Sequence, residues 1–406
     1  MIDFSLSPEE IKAIEAAHKE ALEHIRPISQ YYDEHEHEDP VELHKWRWGR
    51  RNRAGGGMPG GGMPGPGMAG PASLLVSEEG SWGDVGLGMC SPGAGLGGAA
   101  LMSSGTPEQI KKFMKIYESE TPVWGAMAMT EPGAGSDTSA IATTATRDGD
   151  FWVLNGEKIF VTSGKRTMES GGIIVVWATV DKSAGRAGMK SFVVEAGTPG
   201  MRLEKVEDKM GLHASDTCTV VFEDCRIPYE NILGSPEVRQ TDSKDSAGFR
   251  RAMATFDSSR PGVAMQAVGI ARASLDLLME VLEKEGIKIR YGLPRNKLTS
   301  LERDVMEMES SIKAARMLAL RAVWLAGQKQ SNNMEASMCK AKAGKVVTWV
   351  TQKAVEIMGP LGYSRKIMLE KWMRDGKIND IFEGTGQINT LIVARRLLGF
   401  SSKQLK

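Results

Sequence analysis

The hydrophobic period of this 406-residue sequence changes twice, from helical to strand-like and back to helical. Near the start, Ser7 and Glu10 form a capping-box pattern ahead of apolar residues at helical spacing. From about residue 123, short runs rich in β-branched residues are bounded by turn formers, and from about residue 245 long helical patterns return. We therefore predict an α+β fold with a helical region at 1–122, a β region at 123–240 and a helical bundle at 241–406.

Two local patterns lead to further predictions. The dipeptide Asn155-Gly156 divides two apolar runs in "FWVLNGEKIFVT", which is typical of a tight hairpin turn. Residues 55–70 read "GGGMPGGGMPGPGMAG", where glycine and proline exclude a regular helix or strand. We interpret this segment as a mobile surface loop, or alternatively as a flexible, methionine-lined wall for a hydrophobic ligand.

Composition limits the partners and the compartment. The 51 Lys and Arg residues balance the 51 Asp and Glu residues, so no overall field favours nucleic acid or an anionic membrane. The four cysteines lack metal-ligand spacing and suit a reducing compartment. The amino terminus shows no apolar signal core, and no run reaches the roughly 18 apolar residues of a membrane span. We expect a cytoplasmic protein with no stable membrane anchor.

The densest glycine motif is "AMTEPGAGSD" at 128–137. Its Pro-Gly-Ala-Gly run forces a tight turn whose amides can converge on an anion, and Thr130 and Ser136 add hydroxyl groups. The motif is neither a dinucleotide fingerprint nor a P-loop. It indicates an anion or cofactor loop, with a purely structural turn as the alternative.

Two charged segments do not define a site. "YYDEHEHEDP" places His35 and His37 among acids, but alternating acids are more typical of a solvated surface than of a metal site, so we predict no metal. "KWRWGRRNR" at 45–53 is basic and aromatic, and in a neutral chain we interpret it as surface or the mouth of a substrate channel.

Six blocks connect the sequence to a known family. They are "MTEPGAGSD" at 129–137, "NGEKIFVTSG" at 155–164, "VFEDCRIPYENILG" at 221–234, "FDSSRPGVA" at 256–264, "EIMGPLGY" at 356–363 and "MRDGKINDIFEGTGQIN" at 373–389. In these blocks the chain resembles the acyl-CoA dehydrogenase family, along nearly its whole length. The resemblance implies a helical N-terminal domain, a β-barrel-like middle domain, a C-terminal four-helix bundle and a homotetramer or homodimer. It also implies FAD as cofactor, an acyl-CoA substrate and an electron-transfer flavoprotein as partner.

The resemblance further implies the residues that hold FAD. These are Met129, Thr130, Gly135, Ser136, Phe160, Thr162, Lys288, Arg290, Glu356, Gly359, Thr385 and Gln387. Three of them depart from the family pattern: Phe160 stands where the family has Trp, Lys288 where it has Arg, and Glu356 where it has Gln. Arg290 could contact the same FAD phosphate as the residue at position 288. The changes at Lys288 and Glu356 keep open that the chain is a non-catalytic subunit of a mixed oligomer.

For the substrate, the resemblance assigns CoA binding to Arg260, which could alternatively be a charge at the start of a helix. Ser136, Phe256, Asp257, Phe382 and Gly384 would also line the substrate channel. The family places its catalytic base either at the position of Glu383 or at that of Ser259. Serine cannot serve, so Glu383 is predicted to abstract the α-proton in an α,β-dehydrogenation. An acyl-CoA oxidase remains an alternative.

Overall fold

The computed structural model describes residues 5–53, 70–238, 247–401 and 404, with only the backbone described at 52–53 and 247–257. The predicted Gly- and Met-rich loop therefore lies outside the described residues, apart from Gly70. The described part of the first region contains six α-helices: α1 Pro8–Glu20, α2 Arg26–Glu34, α3 Val41–Arg53, α4 Pro71–Met89, α5 Gly95–Ser104 and α6 Pro107–Met114. The capping box that starts α1 is confirmed, because Ser7 and Glu10 bond each other's backbone amides.

A seven-stranded mixed sheet forms the second region. Its strands are β1 Gly125–Ala128, β2 Thr144–Asp148, β3 Phe151–Thr162, β4 Ile173–Thr179, β5 Met189–Glu195, β6 Met201–Val206 and β7 Thr217–Pro228, with the short helix α7 Gly164–Glu169 between β3 and β4. The strand order is β1-β4-β2-β3-β7-β6, and β5 pairs with β4. All seven residues of β4 are buried, as expected for a strand covered on both faces.

The hairpin turn predicted at Asn155-Gly156 is wrong. Both residues lie inside the continuous strand β3, at a bulge opposite β7, and the turn that joins β2 to β3 comes earlier in the chain. Asn155 exchanges hydrogen bonds with Asp224 on β7, so its side chain ties two strands together instead of forming a turn. Gly156 has φ +149°, and a Cβ there would lie 2.5 Å from Thr143 Oγ1. Close approach of Thr143, rather than chain reversal, requires this glycine.

Five helices form the third region: α8 Ala247–Lys284, α9 Ser300–Gly327, α10 Asn333–Tyr363, α11 Leu369–Lys377 and α12 Gly386–Leu398. Helix α10 packs against α8, α9, α11 and α12 and so lies at the centre of the bundle. By length and composition Ser258–Lys284 of α8 could span a bilayer, but 78% of its apolar window is buried inside the fold. That burial is typical of the core helix of a bundle.

The three regions join around α11. The segment between β6 and β7 meets this helix, where Leu212 donates its amide to Asp375 at 2.6 Å. Lys371 of α11 bonds Asp84 of α4 and Asp375, both at 2.5 Å. One helix turn of the bundle therefore contacts both the first region and the sheet.

Candidate active site

Phe160, together with Met129 and Thr130, forms a surface at the end of β1, where the glycine motif begins; we call it the aromatic ledge. Ile159 donates its amide to the Thr130 carbonyl at 2.9 Å, which places Met129 and Thr130 beside the end of β3. Phe160 follows at a bulge with φ +55° and is 60% exposed. A bulge re-aims side chains, and here it leaves a large aromatic face open next to Thr130.

A buried ion pair between Lys158 and Glu131 fixes the backbone of the aromatic ledge. Lys158 is fully buried and donates to the Met129 carbonyl at 3.0 Å and to Glu131 Oε1 at 2.7 Å. Glu131 also accepts the amides of Ala142 and Thr143. Burial lowers the pKa of Lys158 to about 8, although the charge of Glu131 opposes the shift. These bonds fix the backbone that carries Met129 and Thr130, and the sequence alone did not point to them.

The predicted tight turn is present beyond the ledge. Glu131 and Ala134 exchange backbone hydrogen bonds of 3.1 and 3.0 Å, closing the turn around Pro132 and Gly133. Gly135 and Ser136 follow and are exposed. A Cβ added at Gly133 or Gly135 would meet nothing within 4 Å, so open space lies above the turn. The half-buried Thr162, at the end of β3, pairs with Thr217 of β7.

A second group of residues surrounds Glu383, in the segment between α11 and α12. Glu383 is half-buried and adopts φ +56°, a left-handed conformation that costs a non-glycine residue about 1–2 kcal/mol. Ser259 of α8 donates its hydroxyl to Glu383 Oε2 at 2.7 Å. Burial raises the pKa of Glu383 above its ordinary value, while the Ser259 hydrogen bond and the charges of Lys340 and Arg260 act in the opposite direction.

Lys340 is the residue of this site that sequence reasoning missed. Its side chain is 1% exposed, and its ammonium donates to the carbonyl oxygens of Asn379 at 2.6 Å and Gly384 at 3.1 Å. Lys340 lies on the buried stripe of α10, four residues after Ala336 and three before Ala343. A lysine at an apolar stripe position was the signal that could have identified it, because an unpaired charge is rarely buried.

Arg260 lies thirteen residues inside α8 and is 4% exposed, so the alternative that it starts a helix is wrong. Its Nη1 donates to Ser337 of α10 at 3.4 Å, and its Nη2 would lie 4.0 Å from a Cβ built on Gly384. Arg260 and Gly384 are therefore neighbours, as expected if both line one channel. The half-buried Phe382 is also here, with Lys340 Nζ 5.8 Å from its ring centre. The side chains of Phe256 and Asp257 lie outside the described residues.

A third group gathers at the first turns of α9. Glu302 binds the exposed Arg290 through Nε at 2.6 Å and Nη2 at 2.8 Å. Glu356, on α10, pairs with Lys353 at 2.8 Å, and Lys353 in turn lies 3.9 Å from Asp304 of α9. Lys288 is exposed and forms no ion pair with any described residue. Arg290 and Glu356 are thus both neutralised within the chain, while Lys288 is left open to solvent.

The remaining predicted residues lie near helix ends. Thr385 is the N-cap of α12 and accepts the Ile388 amide at 3.2 Å, and Gln387 is exposed in the first turn of that helix. Gly359 adopts φ +53° and interrupts α10 just before Pro360. Ligand atoms of Glu36 and His37, just after α2, and of Asp208, just after β6, lie within 4.8 Å of one another. His37 and Asp208 are exposed, and we assign no function to this cluster.

Comparisons with known proteins agree with this architecture. The family description "Acyl-CoA dehydrogenase, middle domain" matches residues 126–225, and "Acyl-CoA dehydrogenase, C-terminal domain" matches residues 246–398. The mitochondrial short-chain specific acyl-CoA dehydrogenase of Mus musculus is 37% identical, over 73% of this chain and 68% of that protein. The acryloyl-CoA reductase (NADH) of Anaerotignum propionicum is 34% identical, over 98% of this chain and 96% of that protein.

A solved structure gives the same result. The butyryl-CoA dehydrogenase of Megasphaera elsdenii superposes with a TM-score of 0.81 at 31% identity, covering 98% of this chain and 100% of that one. It confirms the predicted fold of helices, half-barrel sheet and helical bundle. The chain belongs to the acyl-CoA dehydrogenase family of FAD-dependent enzymes.

Proposed function

We propose that this protein catalyses the α,β-dehydrogenation of a short acyl-CoA thioester, with Glu383 as the base. The observation that carries the proposal is the Glu383 pocket, where a half-buried carboxylate with raised pKa faces Ser259, Arg260 and Lys340. Relatives named for short-chain and butyryl substrates support the short acyl group.

The chemistry of the substrate explains why such a pocket is needed. An α C–H next to a thioester is too weakly acidic for a solvated carboxylate, so partial burial must strengthen the base. Ser259 and the two cations favour the ionised carboxylate, the form that can accept a proton, and so act against the effect of burial. The Glu383 amide makes no hydrogen bond with the described residues, so it can donate to the thioester oxygen as negative charge develops there.

The residues of the aromatic ledge fit an FAD group. The exposed Phe160 ring offers a face for a planar heterocycle, and the open space above Gly133 and Gly135 leaves room for an anion beside the turn. Met129, Thr130 and Thr162 would hold the ring side. Gly135 and Ser136 would lie where the pyrophosphate and substrate approach, and Thr385, Gln387, Gly359 and Lys288 would hold the phosphate and nucleotide side. FAD, when bound, supplies the acceptor for the hydride that leaves the β-carbon. Glu383 takes the α-proton in the same reaction, so that a C=C bond forms.

Two departures from the family pattern bear on cofactor binding. Lys353 pairs with Glu356, which reduces the repulsion that an acid would impose on a phosphate. Arg290 already donates two hydrogen bonds to Glu302, so we assign the contact with the FAD phosphate to Lys288 rather than to Arg290.

The base is tested with Glu383→Gln. The variant should keep FAD and butyryl-CoA binding, yet lose bleaching of the flavin absorbance when butyryl-CoA is added without oxygen. Retained bleaching at a rate comparable to that of the unsubstituted protein would show that another group is the base. A panel of short, long and branched acyl-CoA thioesters in the same assay tests the acyl preference.

A second candidate is the reverse reaction, reduction of a short 2-enoyl-CoA. It is favoured by the relative named acryloyl-CoA reductase (NADH), which matches nearly the whole chain. Glu383 would then donate the proton to the α-carbon. Full-turnover assays with acryloyl-CoA and NADH, with and without an electron-transfer flavoprotein, separate the two directions.

The electron acceptor and the assembly are also proposals. We infer an electron-transfer flavoprotein as acceptor; rapid reoxidation by air with peroxide release would instead indicate an acyl-CoA oxidase. We infer a homotetramer or homodimer that binds FAD. A folded oligomer without FAD would favour a non-catalytic subunit of a mixed assembly. A cytoplasmic location is supported by four buried cysteines that form no disulfide.

A further inference from the structure

Lys340 lies at a buried position where a charged ammonium is energetically unfavourable. No carboxylate of the described residues lies within 4.0 Å of its ammonium, and its hydrogen bonds go to the backbone carbonyls of Asn379 and Gly384. Burial lowers the pKa of Lys340 to about 8, although the charges of Glu383 and Asp380 oppose the shift. Burying an ammonium without a close counter-ion costs several kcal/mol. The carbonyl bonds and the more distant negative charges offset part of that cost.

The two carbonyls lie on either side of the predicted base. Asn379 lies four residues before Glu383, and Gly384 follows Glu383 directly, so Lys340 joins the two ends of a six-residue segment. The turn lies close against α10, because a Cβ on Gly344 would be 2.9 Å from the Asn379 carbonyl oxygen. Asn389 of α12 also donates to the Gly384 carbonyl at 2.8 Å. A left-handed residue persists only where its surroundings determine it strongly, and these contacts supply that constraint at Glu383.

The charges around Glu383 come from two helices. Helix α8 contributes the hydroxyl of Ser259 and the guanidinium of Arg260, and helix α10 contributes the ammonium of Lys340. Lys340 is itself faced by Glu383, Asp380, Arg260 and the thiol of Cys339. Lys340 is also bonded to the backbone on both sides of the proposed base.

We propose that Lys340 is the positioning residue of the catalytic base: it ties the carbonyls of Asn379 and Gly384 together and favours the ionised carboxylate of Glu383. The inference rests on the proposed function, since it requires Glu383 to be the base. Lys340 touches neither substrate nor cofactor in this role. It acts through the conformation and the charge state of Glu383.

The test compares Lys340→Met with Lys190→Met in the FAD-loaded enzyme, using butyryl-CoA as substrate. Lys190 is a matched control because it is also buried and also donates to two backbone carbonyls, those of Ser235 and Glu237, but on β5. For Lys340→Met we expect the acidic limb of the kcat/KM pH profile to move to higher pH. On the acid side, each unit of movement lowers kcat/KM roughly tenfold. For Lys190→Met the limb should not move, even if the protein melts earlier.

A second readout does not depend on turnover. Water-soluble carbodiimide reacts with protonated carboxyl groups, so peptide mapping after labelling at pH 7 reports the protonation of Glu383. Labelling of Glu383 should increase in Lys340→Met and stay unchanged in Lys190→Met. If Lys340→Met does not fold, Lys340→Gln gives the same test, because it retains a donor for one carbonyl and removes the charge.

The possible outcomes separate the two hypotheses. If Glu383→Gln is inactive but the Lys340 variant shows an unmoved acidic limb and unchanged labelling, the positioning role is wrong and the proposed function stands. If Glu383→Gln is active, the proposed base is wrong and the role of Lys340 falls with it. A moved limb together with increased labelling supports both.

Discussion

At the scale of single residues, opposing influences set the protonation of Glu383. Partial burial raises its pKa, whereas the hydrogen bond from Ser259 and the charges of Lys340 and Arg260 lower it. Burial alone would give a strong base that is protonated near neutral pH, and a fully solvated acid would be ionised but weak. The pocket therefore combines burial with stabilisation of the ionised form.

The balance predicts a measurable effect of Ser259. In Ser259→Ala the carboxylate loses a charge-assisted hydrogen bond, so the pKa of Glu383 should rise further. Because the proposed base must be ionised to accept a proton, activity should then be lost on the acid side of the profile, with kcat/KM falling roughly tenfold there, the effect of a bond worth about 1.4 kcal/mol. Activity at pH 9 should change little.

The matched control for Ser259 is Ser274→Ala. Ser274 is buried in the same helix, but its hydroxyl donates only to the Ile270 carbonyl one turn earlier. Its pH profile should match that of the unsubstituted protein. Equal profiles for both serine variants would show that the Ser259 hydrogen bond does not influence the base.

At the scale of secondary-structure elements, periodicity predicted the three regions but not the details that depend on distant residues. Asn155-Gly156 was misassigned because the local turn signal is the same whether the glycine reverses the chain or admits Thr143. Lys340 was missed because a lysine in an apolar stripe is visible in the sequence, while the carbonyls that it meets come from Asn379 and Gly384, about forty residues later. Glu383 and Arg260 were identified through the family blocks, which carry information that periodicity lacks.

The corrected role of Gly156 gives a prediction at this scale. Gly156→Ala should destabilise the protein by about 3 kcal/mol, because the new methyl group would collide with Thr143 in a backbone conformation unfavourable to alanine. Urea unfolding followed by fluorescence measures the loss. Gly149→Ala is the control, since Gly149 also has positive φ but its Cβ would meet nothing within 4 Å. It should cost only about 1 kcal/mol, and an equal loss in both variants would argue against the close approach.

At the scale of the whole molecule, a buried charge cluster joins the three regions. Lys371 of α11 lies between Asp84 of the first region and Asp375, whose other oxygen accepts the Leu212 amide from the segment beside the sheet. Ser29 of α2 also donates to Asp84. The opposing charges raise the pKa of Lys371, and its burial by itself would lower it. The lysine is therefore charged at neutral pH and balances two acids that have almost no contact with water.

Removing that charge should weaken the whole fold rather than one element. In Lys371→Met, Asp84 and Asp375 face each other without a cation, and loss of one member of a buried ionic cluster costs about 3–5 kcal/mol. Urea unfolding followed by tryptophan fluorescence measures the change, because the nine tryptophans include Trp177 of the sheet and Trp372 beside Lys371. Lys45→Met serves as control, because Lys45 pairs with Glu42 on an exposed surface where ion pairs contribute little. Because Lys371 holds elements of all three regions, the midpoint should fall for the sheet and the bundle together. A midpoint as high as that of Lys45→Met would mean that apolar packing alone holds the regions in place.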